Sequence, residues 1–176
     1  EKQFRAVGSG HSHSEAAAPE DWYTNMKGIS GALNQPWLRD DLDIDSRYLV
    51  RIGAGTVLKR LNREILADKG LGLKNMGSFD GQTLAGAINT STHGTGLELK
   101  PLADVVKSVE IICVPESRYQ RDTPYVRSLR IEPSDGITDP EKFAADADRH
   151  GMGLIQNGDL FHSVVVGYGC MGIVYA

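Results

Sequence analysis

The stretch NMGSFDGQTLAGAINTSTHGTG, Asn75 to Gly96, limits what this chain can fold into more than any other part of it. It packs five glycines and two serines around a helix start, where Asp80 is placed to cap QTLAGAI. Small residues at such a start let backbone come close to a ligand, and free amides there favour phosphate. Two further glycine-rich stretches, GSGHSHS from Gly8 and GYGCMGI from Gly167, stand near the two ends of the chain. One such stretch is an ordinary turn. Three of them suggest a long, phosphate-bearing cofactor laid across several loops. The chain has neither a Walker A sequence nor a GxGxxG strand-to-helix fingerprint, so P-loop and Rossmann readings lack support.

Composition narrows the partners. The 19 Lys and Arg against 23 Asp and Glu give a net charge of -4. No basic stripe interleaved with aromatics occurs, which argues against nucleic acid. Cys113 and Cys170 both lie in apolar runs and are expected to be small buried hydrophobes rather than a disulfide framework. No apolar run approaches the roughly 20 residues of a membrane span, and no signal peptide opens the chain, so a soluble, cytoplasmic protein without a membrane partner is expected. At 176 residues, one domain covering 1–176 is the simplest organisation.

Along the chain, Phe4 to Val7, WYTNM, Tyr48 to Gly55 and Val105 to Val114 read as strands. TVLKRLNREILADKGLGL reads as a helix, with Val57, Leu58, Leu61, Ile65 and Leu66 at helical spacing, Thr56 as cap and Gly70 as stop. Pro115 to Gly158 is polar and reads as an elaborated surface connection, in which Asp139, Pro140 and Glu141 open a short helix through Ala147. The acidic residues after Pro133 are expected to be solvated. DLFHSVVVGYGCMGIVYA closes with a short helix, a glycine turn and a strand. Strands and helices mix without a regular βαβ rhythm, which predicts an α+β fold.

His11 and His13 stand one residue apart, which on a strand puts both imidazoles on one face. The spacing leaves open a metal pair, a loop histidine bonding backbone, or a residue a cofactor needs; no further HxH or HxxxH supports metal. A hydrolase reading of the neighbouring serines lacks a GxSxG elbow.

The order RAVGSGHSHS, then VRIGAGTVLKRLNREILADKGLGLKNMGSFDGQTLAGAINTSTHGTG, then DLFHSVVVGYGCMGIVYA resembles the FAD-binding (PCMH-type) domain of the vanillyl-alcohol oxidase superfamily. Within it, the sugar-lactone and alditol oxidase branch is the most similar. The resemblance implies an α+β fold of two subdomains with FAD between them. It implies that Gly8, Ser9, Gly10, His11 and Ser12 cradle the pyrophosphate, and that His11 bonds covalently to the 8α-methyl carbon of the flavin. It places Ser78, Gln82, Gly86, Thr90, Thr92, His93 and Gly94 along the pyrophosphate, ribityl chain and ring, and Gly172 and Ile173 on the adenine side. No catalytic residue and no metal ligand is assigned. The parent protein is expected to oxidise a CH-OH group of a polyol, sugar lactone or similar small alcohol, with oxygen or another acceptor taking the electrons. A first strand and helix before FRAVGSGHS and a substrate domain after GIVYA are expected to be missing, leaving a part that is inactive alone or an empty binding module, and able to oligomerise.

Overall fold

The computed structural model describes residues 4–15, 21–114, 126–146 and 151–176. Strand β1 (Phe4–Val7) pairs in parallel with β2 (Trp22–Asn25), and β3 (Ala32–Leu33) pairs antiparallel with β4 (Arg51–Ile52). The strand expected over Tyr48 to Gly55 is thus only two residues long. Ser46–Tyr48 instead form a 3-10 turn, because the Asp45 carboxylate accepts the Arg47 amide at 2.9 Å and turns the chain.

The helix after Gly55 begins as α1 (Leu58–Arg60), widens to a π-helix over Leu61–Leu66 and ends in a 3-10 turn over Ala67–Lys69, with left-handed Gly70 as the stop. The wider i→i+5 winding brings residues five apart nearly over one another, so Leu61 and Leu66 bury together. Thr56 does not cap this helix. Its Oγ1 donates to the Gly53 carbonyl at 2.6 Å and accepts the Gly31 amide at 2.9 Å, which ties two loops together instead.

Helix α2 (Leu84–Asn89) starts at Thr83, not under an Asp80 cap; Asp80 pairs with Arg63 at 3.4 Å. With Ile52, Leu58, Leu61 and Leu66, Ala87 of α2 and Leu102 form the first apolar core. Fully burying one such leucine contributes about 1.5–3 kcal/mol.

The second half is a four-stranded sheet in the order β7-β6-β5-β8, made of β5 (Val109–Cys113), β6 (Arg127–Glu132), β7 (Gly153–Gln156) and β8 (Ile173–Val174). The β5 strand is shorter than the expected Val105 to Val114, since Leu102–Val105 forms a 3-10 turn. Strands β6 and β7 run parallel, and such a pair needs a long crossover. The crossover carries α3 (Pro140–Ala145), where the Asp139 carboxylate accepts the Glu141 and Lys142 amides at 2.8 and 3.0 Å. That helix stops at Ala145; Ala147, where it was expected to end, lies outside the described residues.

Helix α4 (Gly158–Val165) lays Phe161, Val164 and Val165 on Val109, Ile111 and Ile131 of the sheet, forming the second core. Ile88 of α2 packs against both cores, so α2 is the joint between the two halves. The molecule is therefore α+β in two subdomains, as expected.

The polar segment from Pro115 to Gly158 proves to be more than a surface connection, because it supplies β6, α3 and β7. The β5–β6 register sets Glu110 beside Arg130 on the face away from α4. There Arg130 is 2 % exposed and donates to Glu110 at 2.7 Å, to Glu132 at 2.9 Å and to Thr138 at 2.7 Å. Arg51 grips Glu110 with two bonds of 2.9 and 2.6 Å, and both guanidinium groups lie over the Trp37 ring at 5.3 and 5.5 Å. Cys170, expected to be buried, is exposed in the last glycine turn, while Cys113 is half-buried in β5. No helix among the described residues is long and apolar enough to cross a membrane.

Candidate functional site

The site begins where β1 ends. Parallel pairing of Val7 with Asn25 delivers the chain to Gly8 at the carboxyl end of both strands. Gly8 then lies directly on Thr83, and a Cβ at position 8 would run into Thr83 Oγ1. Only glycine lets the first stretch lie this close to the second. Beyond it the loop opens out. Among the described residues, the backbone amides of Ser9, Gly10, His11 and Ser12 donate no hydrogen bond within the protein. Four successive free donors are what an anion needs, because each bond to a charged oxygen is stronger than one to a neutral acceptor.

The N-terminus of α2 is different. The Leu84 amide donates to the Thr56 carbonyl at 2.8 Å and the Ala85 amide to Ala54 at 3.1 Å, so these amides are already used. The expectation that free helix-start amides meet the phosphate is corrected on this point: the helix start anchors the wall, and the Gly8–Ser12 loop carries the free donors.

The third stretch completes the cleft. GYGCMG has the spacing of a dinucleotide fingerprint, but it connects α4 to β8, helix to strand, the reverse of a Rossmann turn. Gly172 has φ +147° and sits 2.7 Å, measured from an added Cβ, from the Ile112 carbonyl. The Asn89 side chain joins this turn to α2, since its Oδ1 accepts the Gly169 amide at 3.0 Å while its Nδ2 donates to the Ala85 carbonyl at 3.0 Å.

One cleft is thus walled by all three glycine-rich stretches. Of the residues expected to hold a cofactor, Gly8, Ser9, Gly10, His11, Ser12, Gln82, Gly86, Thr90 and Gly172 line it. Thr92 stands behind Gln82, whose Nε2 donates to Thr92 Oγ1 at 3.1 Å. His93 donates from Nδ1 to the Gly94 carbonyl at 2.9 Å, and Gly94 itself packs on Asn75 and Met76. Ser78 is exposed beside Phe79, and Ile173 pairs with Ile112 in the sheet; none of these last five lines the cleft. Sequence reasoning missed Thr83, Asn89, Tyr168 and Arg5, which do line it.

The His11 ring lies 4.4 Å from the Phe79 ring and 6.4 Å from His13, centroid to centroid. Among the described residues no three His, Cys, Asp or Glu side chains gather in a way that could hold a metal. Among the described residues, Arg5 is the only side chain lining the cleft that carries a permanent charge, and no carboxylate lines it. Free amides and a guanidinium suit a diphosphate, so these residues fit the dinucleotide that the glycine stretches suggested.

The fold is that of the FAD-binding, PCMH-type domain. A glycopeptide hexose oxidase, solved in complex with teicoplanin, matches 99% of this chain and 29% of its own with a TM-score of 0.68 at 16% identity. Residues 1–121 match the model of the FAD binding domain family, and the chain belongs to that family. Similar proteins include the L-gulono-1,4-lactone dehydrogenase of Mycobacterium tuberculosis, 34% identical over 63% of this chain and 24% of that protein. The D-arabinono-1,4-lactone oxidase of Kluyveromyces lactis is 35% identical over 53% of this chain and 17% of its own length. The alditol oxidase of a Streptomyces species is 34% identical over 64% and 26%. The chain therefore spans no more than about a quarter of the curated relatives it matches.

Proposed function

We propose that this chain is the FAD-holding part of an oxidoreductase that oxidises a CH-OH group of a polyol, sugar lactone or similar small alcohol, and that His11 is the covalent attachment point of the flavin. One observation carries the reading: three stretches far apart in sequence wall a single cleft, and the loop with four free amides also holds His11. The similar lactone-oxidising and alditol-oxidising proteins support the alcohol class.

In this account the Ser9–Ser12 amides and Arg5 bind the pyrophosphate. Thr83 and Asn89 hold the loop and the last turn at fixed separation, so the site is formed before the cofactor arrives. When bound, FAD supplies a two-electron acceptor for the hydride of the carbinol carbon, and the protein's part is orientation and electrostatics. Within that division this chain's work is to bind and orient the cofactor.

The test is oxidation of a panel of alditols and aldonolactones by the full-length protein, followed as peroxide or as reduction of a dye. Turnover of at least one such substrate, with covalent flavin abolished in His11→Ala, is the expected result. Flavin still covalently bound in that variant removes His11 from its role, and turnover of none of the panel removes the substrate class.

A further inference from the structure

Tyr168 is placed where a tyrosine costs energy to hold. Its φ is +53°, and His13 and Ser91 are the other non-glycine residues with positive φ among those described. The left-handed region crowds Cβ against backbone, so a bulky residue persists there only when its surroundings enforce it. Packing of the ring is not what enforces it, because Tyr168 is 60% exposed.

The enforcement comes from the turn. The Cys170 amide donates to the Gly167 carbonyl at 2.9 Å, and the Gly169 amide donates to Asn89 Oδ1 at 3.0 Å. Asn89 is 9% exposed, and its other bond, to the Ala85 carbonyl at 3.0 Å, fixes which way the amide faces. A buried, doubly bonded side chain thus holds an exposed aromatic residue in the wall of the cofactor cleft.

Phe79 packs on the His11 ring at 4.4 Å without lining the cleft, so of Phe, Tyr and Trp only Tyr168 lines it among the described residues. Tyr168 belongs to the other wall, with Gly169 and Gly172. Resting on the reading above, in which His11 marks the flavin ring, the aromatic left for the other wall is the adenine. We propose that Tyr168 is a platform on which the adenine ring of the cofactor stacks, with Asn89 as the positioning residue that holds it. Stacking a base on an aromatic side chain is a substantial and geometrically tolerant interaction.

The experiment uses the full-length protein with His11→Ala, so that binding is reversible, and measures affinities for FAD, ADP and FMN by calorimetry. Tyr168→Gly is expected to weaken FAD and ADP alike, by about tenfold or more, and to leave FMN unchanged. Its apo melting temperature is expected to be no lower than the parent's, since glycine relieves the left-handed strain. Tyr168→Phe keeps both affinities, and Asn89→Ala reproduces the selective loss of ADP. Unchanged ADP affinity in Tyr168→Gly, or an equal loss of FMN, overturns the platform while FAD binding to the parent stands. Failure of the parent to bind FAD overturns the reading of the cleft and the platform with it.

Discussion

Two polar regions of this molecule are built on opposite principles. Behind the four-stranded sheet, Arg51, Glu110, Arg130, Glu132 and Thr138 satisfy one another almost completely, with Gln156 adding a bond of 3.2 Å to Glu132. Along the cleft, four successive amides have no protein acceptor among the described residues. A buried charge must be paired or it destabilises the fold, so the first region is structural. Donors left free at an open cleft cost little while water serves them, and are available to a ligand. The difference separates polarity that holds the fold from polarity that awaits a partner.

The largest expected effect comes from breaking the closed region. Arg130→Met leaves Glu110 with Arg51 alone and Glu132 with neutral partners, which should cost about 3–5 kcal/mol. Thermal unfolding should show a fall in midpoint of roughly 6–20 °C for a chain of this size. A fall of a degree or two means the network is not closed in the way described. Changing Arg51, Glu110, Arg130 and Glu132 together to apolar residues of similar volume should recover most of the loss.

A smaller effect is expected at the seam of the cleft. Gly8→Ala drives a methyl group into Thr83 Oγ1, which should cost about 1–3 kcal/mol and reduce bound flavin. Thr83→Ala in the same chain should restore part of both, and the double-mutant cycle reads the coupling. Additive effects would show that the loop and α2 do not touch.

The smallest effect concerns pH. Burial pushes the Tyr175 hydroxyl above its ordinary pKa of 10.0. The folded protein then holds this proton more tightly than the unfolded chain, so the contribution is complete below about pH 10 and is lost as pH rises through the folded value. Denaturant titrations should show stability falling above about pH 10, with a shallower fall in Tyr175→Phe.

Much of the cleft was legible because glycine-rich turns and apolar strands leave local marks. Gly70, Asp139 and the α4 pattern mark their elements through backbone conformation and capping, which act within a few residues. The closed region was not legible. RSLRIE reads as surface because the local Arg130–Glu132 pair is closed only from afar, by Glu110 lying 20 positions from Arg130 and by Arg51 lying 59 positions from Glu110. Thr56 and Asp80 fit the local rules for caps, yet tertiary contacts with Gly31 and Arg63 took them instead. Asn89 and Tyr168 carried no local signal, since their roles depend on a turn 80 residues from Asn89 in sequence.

The central claim is that the Gly8–Ser12 loop, with its free amides and His11, holds FAD. The most direct test is the visible absorption of the full-length protein before and after acid precipitation, reading pellet and supernatant separately. The account predicts a yellow protein whose colour stays with the pellet. A colourless protein that takes up no added FAD would contradict it, and flavin released entirely into the supernatant would contradict the attachment through His11.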